Sequence, residues 1–261
     1  MNLRFQLNQE SFEFQSKFHA LEISLITYNI HKAVGNDQSY RLDRIIDICR
    51  DVNADVLALQ EVPYSNPRSD YEDIARIIGA ELGMEYVLGL NVMRKLRGAY
   101  GNATFSRFPI KNHDNLNITW SIKKPRGCLN AVLELPNGSG PLAIMNFHLG
   151  LAGIERIRQF KMILASAFAR EQRESPLVLL GDTNDIYNRL TRLVREAGLH
   201  DTFAFSESVN TYPAYAPILR LDKVFCNERL KVRSHRVIRN RKSRIASDHL
   251  PVHVRFELVQ A

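Results

Sequence analysis

Residues 176–185 read PLVLLGDTND: four aliphatic residues, a break at Gly181, then Asp182, Asn184 and Asp185. The apolar run has the length of a buried strand. A packed core does not accept carboxylate and amide groups without partners. A buried strand ending in such groups presents reactive side chains on a rigid base. A plain strand exit, with Gly, Asp and Asn as turn formers, accounts equally well for one such stretch. The design recurs four times. Asn29-Ile30-His31-Lys32 closes residues 22–28, Gln60-Glu61 closes 55–59, His148 closes 142–147, and Ser247-Asp248-His249 precedes 252–258. Carboxylate and amide oxygens suit a hard ion such as magnesium, and imidazole carries protons near neutral pH. These are the parts of a metal-assisted phosphate-ester hydrolysis: a cation, an activated water, and donors for the developing oxyanion.

The elements that must position these groups follow from periodicity. Residues 1–20 lack a clear period and are expected to be a lead-in arm or first edge strand. Strands are expected at 22–28, 55–59, 86–90, 101–105, 117–120, 128–135, 142–147, 177–180, 221–225, 231–238 and 252–258. Helical spacing marks 42–49, 74–82, a long helix over 154–168, and a short one at 190–194 closed by Gly198. Asn137-Gly138 predicts a hairpin over 128–144. Residues 201–217 and 240–247 read as loops, and Arg94, Lys95 and Arg97 fall between two strands. There is no repeat, low-complexity tract or linker, so a single domain over 1–261 is expected. Helices mixed with hairpins imply mixed sheets.

Composition narrows the partners. The net charge of +7 and pI near 9.4 point to an anionic partner: nucleic acid, a phosphorylated small molecule or a lipid surface. Cys49, Cys128 and Cys226 are scattered among apolar residues, which gives neither a disulfide framework nor zinc spacing. That pattern fits a reducing compartment. The N-terminal stretch has no apolar core of a signal peptide, and no run reaches the roughly 20 residues of a membrane span. A cytoplasmic monomer able to touch an anionic membrane surface is the expectation.

The ordered set TYNIH, LQE, NFHL, GDTND, RLDKVF and SDHLPV, from Thr27 to Val252, resembles the endonuclease/exonuclease/phosphatase superfamily, the DNase I-like fold. The resemblance implies an α/β fold: a four-layer α/β sandwich of two mixed β-sheets flanked by helices, with the motif residues meeting at one end. It implies hydrolysis of phosphate esters with Mg2+ or Mn2+. It makes Glu61 the first metal ligand, with Asn29 and Asp248 beside it. It pairs Asp222 with His249, where the imidazole either polarises the phosphate or acts as base. Asp182 is the alternative base, Asn184 orients it and donates to a phosphate oxygen, and His148 donates to another. His31 stands where many nucleases of the family have a second acid, which is a departure. His113, His200, His235 and His253 read as structural. The segments YNIHKAVG and PRGCLNAVLEL are more similar to an uncharacterised bacterial branch, related to a domain of a GPI-anchor lipid-remodelling protein, than to abasic-site endonucleases.

Lys231, Arg233, Arg236, Arg239, Arg241, Lys242 and Arg244 bring seven positive charges with no acid between them. At least half are expected to be solvated. Arg126, Arg241 and Arg244 are the expected phosphate-binding residues. Tyr100, Trp120, Tyr212 and Tyr215 are candidate stacking platforms for single strands. Nucleic acid is the first expected substrate. A phospholipid or phosphorylated small molecule is the alternative, and a catalytically dead binding module is disfavoured because the candidate positions carry reactive residues.

Overall fold

Strand alternation sorts the apolar side chains into three clusters. Ile23 and Leu25 pack with Leu129, Ile144, Val178 and Val224 in a central core. Their sequence neighbours Ile26 and Tyr28 face outward onto Ile45, Ile48, Ile74 and Ile78. On the other side Met145, Phe147 and Leu179 meet Phe160, Ile163 and Val194. A period of two therefore fixes which face meets the opposite sheet and which meets a helix.

The computed structural model describes residues 21–94, 98–204 and 209–259. Its elements in order are β1 (Glu22–Asn29), α1 (Leu42–Val52), β2 (Val56–Tyr64), α2 (Ile74–Leu82), β3 (Glu85–Arg94), β4 (Gly98–Ser106), β5 (Ile110–Asn117), β6 (Gly127–Glu134), β7 (Pro141–His148), α3 (Gly153–Leu164), α4 (Ala167–Glu171), β8 (Leu177–Asp182), α5 (Thr191–Glu196), β9 (His200–Asp201), β10 (Asp222–Cys226), β11 (Leu230–Val237), α6 (Arg241–Ala246) and β12 (Val252–Leu258). One six-stranded sheet runs β11-β12-β1-β2-β4-β3 and the other β5-β6-β7-β8-β10-β9. Each has one parallel pair, β1 with β2 and β7 with β8. The other pairings are antiparallel. This is the expected α/β four-layer sandwich of two mixed sheets flanked by helices.

Four expectations need correction. The strand expected at 117–120 is instead Ile110–Asn117. It is a sheet edge whose residues are mostly exposed and polar, so no apolar alternation marks it. The long helix is two, because Ser166 ends the first by donating to the Ile163 carbonyl and caps the second by accepting from Ala169 N–H. The polar loop at 240–247 contains α6, started by reciprocal Asn240 and Ser243 hydrogen bonds. The loop expected from 201 begins inside β9. The 128–144 hairpin stands. The arm at 1–20, and Lys95 and Arg97, lie outside the described residues.

Candidate active site

Both parallel pairs end at the same edge of the sandwich. Asn29 lies in register with Gln60, His148 with Asp182, and Asp182 with Asp222 across the antiparallel partner. Ser247 Oγ donates to the Asn29 carbonyl at 2.7 Å and draws in the segment carrying Asp248 and His249. A buried amide network ties the sheets together underneath. Gln60 Nε2 donates to Thr27 Oγ1 and Asn146 Oδ1, and Asn146 Nδ2 donates to the Leu59 and Ala103 carbonyls. Buried networks of this kind rigidify their surroundings, although Gln60 Oε1 is left without a partner. Gly181, with φ +147, passes so close to Phe147 that a Cβ would meet its carbonyl oxygen at 1.9 Å. Only glycine lets β8 deliver Asp182 here.

Asp182 is the centre. Its Oδ2 accepts from Asn29 Nδ2 at 3.1 Å, and lies 3.3 Å from His148 Nε2 and 3.7 Å from His249 Nε2. Its Oδ1 accepts from the Asn184 backbone N–H at 2.9 Å. Burial pushes the Asp182 carboxyl up to about 6, against the pull of His249. His249 Nδ1 sits 2.8 Å from Asp222 Oδ2. Burial would lower this imidazole, but Asp222 and Asp182 overcome it and push it up to about 10. His148 goes the other way, well below the ordinary range, through burial and the Arg126 charge. Two buried imidazoles on one carboxylate thus differ in protonation: His249 is charged and His148 neutral at pH 7.

Glu61 reaches the site from a β-bulge in β2, with a left-handed backbone at φ 57. Non-glycine residues hold that conformation only where the surroundings impose it. Its carboxylate forms an ion pair with Lys32, and Oε1 lies 4.0 Å from His148 Nδ1. Burial opposes ionisation of Glu61, yet Lys32, with help from Lys124, holds its carboxyl below the usual range. Arg126 is 6% exposed, and its Nε has no hydrogen-bond partner. It lines a small cleft with Glu61, Tyr100 and His148. An unpartnered buried guanidinium nitrogen beside a cleft is a donor waiting for an acceptor.

The other expected residues distribute unevenly. The Asn184 side chain donates to the Leu149 carbonyl at 3.0 Å, so its backbone, not its amide, orients Asp182. Asp248 is half-buried beside Ser247 Oγ (3.3 Å) and His31 Nδ1 (3.9 Å). Arg241 lines a shallow groove with Arg44, Asp47 and Lys242 on the outer helical layer. Arg244 is exposed, and its carbonyl accepts from Asn36 Nδ2 at 2.7 Å. Tyr100 is buried, with Lys32 and Lys124 5.0 and 5.1 Å from its ring centre. The Tyr212 ring lies 4.9 Å from that of His249. Sequence reasoning missed Lys32 and the Tyr212 contact. Lys32 stood within a quoted motif, three residues past Asn29, where its charge was the available signal.

The donors fit a hard divalent cation. Glu61 already holds a cationic group, and Asp222 Oδ1 is buried without a partner. Asn29 and Asp248 add oxygen donors, although Asn29 Oδ1 accepts from His31 N–H at 3.1 Å. Asp182, Asp222 and His249 also offer ligand atoms within 4.8 Å of one another. The proton on His249 takes its imidazole out of the ligand role, since a metal needs neutral imidazole, and leaves Asp182 and Asp222 as the oxygen donors of that trio.

Residues 26–249 match the model of the Endonuclease/Exonuclease/phosphatase family. The uncharacterized protein YbhP of Escherichia coli (strain K12) is 27% identical over 250 residues, which is 90% of this chain and 96% of that protein. A mannosyl-6-phosphatase structure from Bacteroides thetaiotaomicron VPI-5482 superposes with a TM-score of 0.73 at 18% identity, covering 91% of this chain and 100% of that one. Truncated Caenorhabditis elegans TDP2 superposes with a TM-score of 0.66 at 20% identity, covering 91% and 98%.

Proposed function

We propose a function for a chain that belongs to the endonuclease/exonuclease/phosphatase family by its match over residues 26–249: hydrolysis of a phosphate ester, dependent on a divalent cation, with 1–261 as one domain. The observation that carries the reading is the geometry around Asp182, whose Oδ2 lies 3.3 Å from His148 Nε2, 3.7 Å from His249 Nε2 and 3.1 Å from Asn29 Nδ2. His249, held charged by Asp222, donates from Nε2 to a phosphate oxygen and cannot act as base. Asp182 is ionised above about pH 6 and is more basic than an exposed aspartate. It takes the proton of the attacking water as the water oxygen bonds to phosphorus and the ester oxygen leaves. His148 and Arg126 donate to further phosphate oxygens, and Asn29 steadies Asp182. Magnesium or manganese would be held by Glu61, with Asn29 and Asp248 beside it. When bound, it supplies charge neutralisation and a more acidic water.

The identity of the ester is a separate matter. The surplus of +7 favours nucleic acid. Several of the clustered cations are already engaged: Arg233 with Glu257, Lys242 with Asp51, and Arg236 with His253. That favours a lipid or phosphorylated small molecule, whose single headgroup needs only the cations in the cleft. Structural neighbours named for a mannosyl-6-phosphatase and for TDP2 support the view that this fold admits different phosphate esters. The test is turnover of bis(p-nitrophenyl) phosphate, p-nitrophenyl phosphate, plasmid, single-stranded DNA, RNA and phospholipid vesicles. Each is run with magnesium, manganese or EDTA. Metal-dependent turnover of any one sustains the reading, and its class names the substrate. No turnover across the panel sinks it.

A further inference from the structure

Among the described residues, twelve large apolar side chains stand exposed. Ten of them leave the sandwich at the end that carries Asp182, and the exceptions are Met162 and Val259. The bias is densest on four neighbouring loops. Ile122, 99% exposed, lies between β5 and β6. Leu151 and Ile154 follow His148, Tyr187 follows Asp182, and Tyr215 and Ile218 precede Asp222. Two of these loops are anchored to their surroundings: Ala214 N–H donates to the Asp248 carbonyl at 2.7 Å, and the Arg158 guanidinium on α3 lies 5.3 Å from the centre of the Trp120 ring.

Among the described residues, the exposed charged groups of these loops and the start of α3 are Lys123, Lys124, Arg158 and Arg189, all positive, while Glu155 and Asp185 are buried. Single exposed apolar residues are ordinary, but a patch concentrated on one face marks an interaction surface. Apolar and tyrosine tips interleaved with Lys and Arg are what an anionic bilayer surface selects, since the tips enter the headgroup region and the cations meet phosphates. A duplex would reward the cations but leave the aliphatic tips without a partner. No described helix is long and apolar enough to cross a membrane, so attachment would be peripheral.

We propose that this rim is a docking surface for anionic lipid bilayers, and that it sets the catalytic cleft face-down on the membrane. The inference goes beyond the proposed hydrolysis and is tested without it. The chain has one tryptophan, Trp120, on the loop that bears Ile122. Its fluorescence shifts to shorter wavelength when vesicles of phosphatidylcholine with one-quarter phosphatidylglycerol are added, and not with phosphatidylcholine alone. Cosedimentation with the anionic vesicles falls about tenfold in the Ile122→Ser/Leu151→Ser variant and again in Lys123→Gln/Arg189→Gln. Melting temperature, and turnover of any soluble ester the wild type cleaves, stay the same. Absence of vesicle binding overturns the proposal, as does binding indifferent to lipid charge or to these substitutions. Oligonucleotide binding that needs the same rim, with no binding to vesicles, reassigns the surface to nucleic acid and overturns it as well.

Discussion

Strands β8 and β10 and the loop after β8 build two buried ionic clusters from almost adjacent residues. In one, Asp182 and Asp222 share a single imidazole, His249. In the other, Asp185 stands 3.4 Å from Lys223 Nζ and 4.0 Å from Arg156 Nε. Lys223 also donates to the Asp185 carbonyl and to Asn188 Oδ1, and Leu190 N–H donates to Asp185 Oδ2. The second cluster has more cation than anion and clamps the loop at 183–190. The first has more acid than base; each cluster keeps one unpartnered carboxylate oxygen, on Asp222 and on Asp185. The acid excess around Asp182 suits the water and phosphate of the proposed reaction, whereas the cation excess around Asp185 is closed off by the loop it clamps.

Breaking the Asp185 cluster is expected to have the largest effect. Lys223→Met leaves Asp185 buried with only the more distant Arg156, and losing one partner of a buried pair costs about 3–5 kcal/mol. Urea denaturation measures it, and turnover per folded molecule should stay within about tenfold of wild type. A variant as stable as wild type would mean that the clamp is not structural.

Asp182→Asn is the mirror image: a loss of at least about two orders of magnitude in turnover with no loss of stability. The sign follows from linkage. The folded Asp182 pKa, about 6, lies above its ordinary value of 3.8. Its contribution is therefore present below pH 3.8 and is lost as pH rises through 6, so at pH 7 the ionised carboxylate is a liability. His249, about 10 when folded against 6.5, contributes fully below pH 6.5 and fades as pH rises through 10. Thermal melts from pH 4 to 7 should show wild type losing a stability component that Asp182→Asn lacks. Unchanged turnover would remove Asp182 from the mechanism.

The difference between the clusters also explains what could be read from the chain alone. Asp182 and His249 were legible because each stands in a polar stretch at the end of an apolar strand run, and Asp222 through the resemblance of RLDKVF to a family motif. Lys223 was not, since a lysine in LDKVF reads as an outward residue of a half-exposed strand, and only the fold of 183–190 over it buries the ammonium. Most strands were legible from alternation and their packing as a sandwich from the family resemblance, whereas β5 was hidden because an exposed edge strand carries no such pattern. The basic stretch announced its charge but not its partners. Asp51 meets Lys242 across 191 residues, a pairing that spacing does not reveal. Lys32 lay in plain view, but the bulge that swings Glu61 onto it is a backbone event with no side-chain signature.

That last contact gives the smallest and sharpest test of the imbalance. Lys32 neutralises Glu61 where the proposed cation would bind, so ammonium and metal compete for one carboxylate. Glu61→Gln removes the charge both are drawn to and should raise the magnesium requirement by about tenfold. Lys32→Met should move it the other way, or leave metal affinity unchanged while slowing turnover if the ammonium also meets substrate. Isothermal titration with manganese reads the binding directly, apart from catalysis. If Glu61→Gln binds manganese as wild type does, the cation is held elsewhere, and the unpartnered Asp222 oxygen beside Asp182 becomes the place to look.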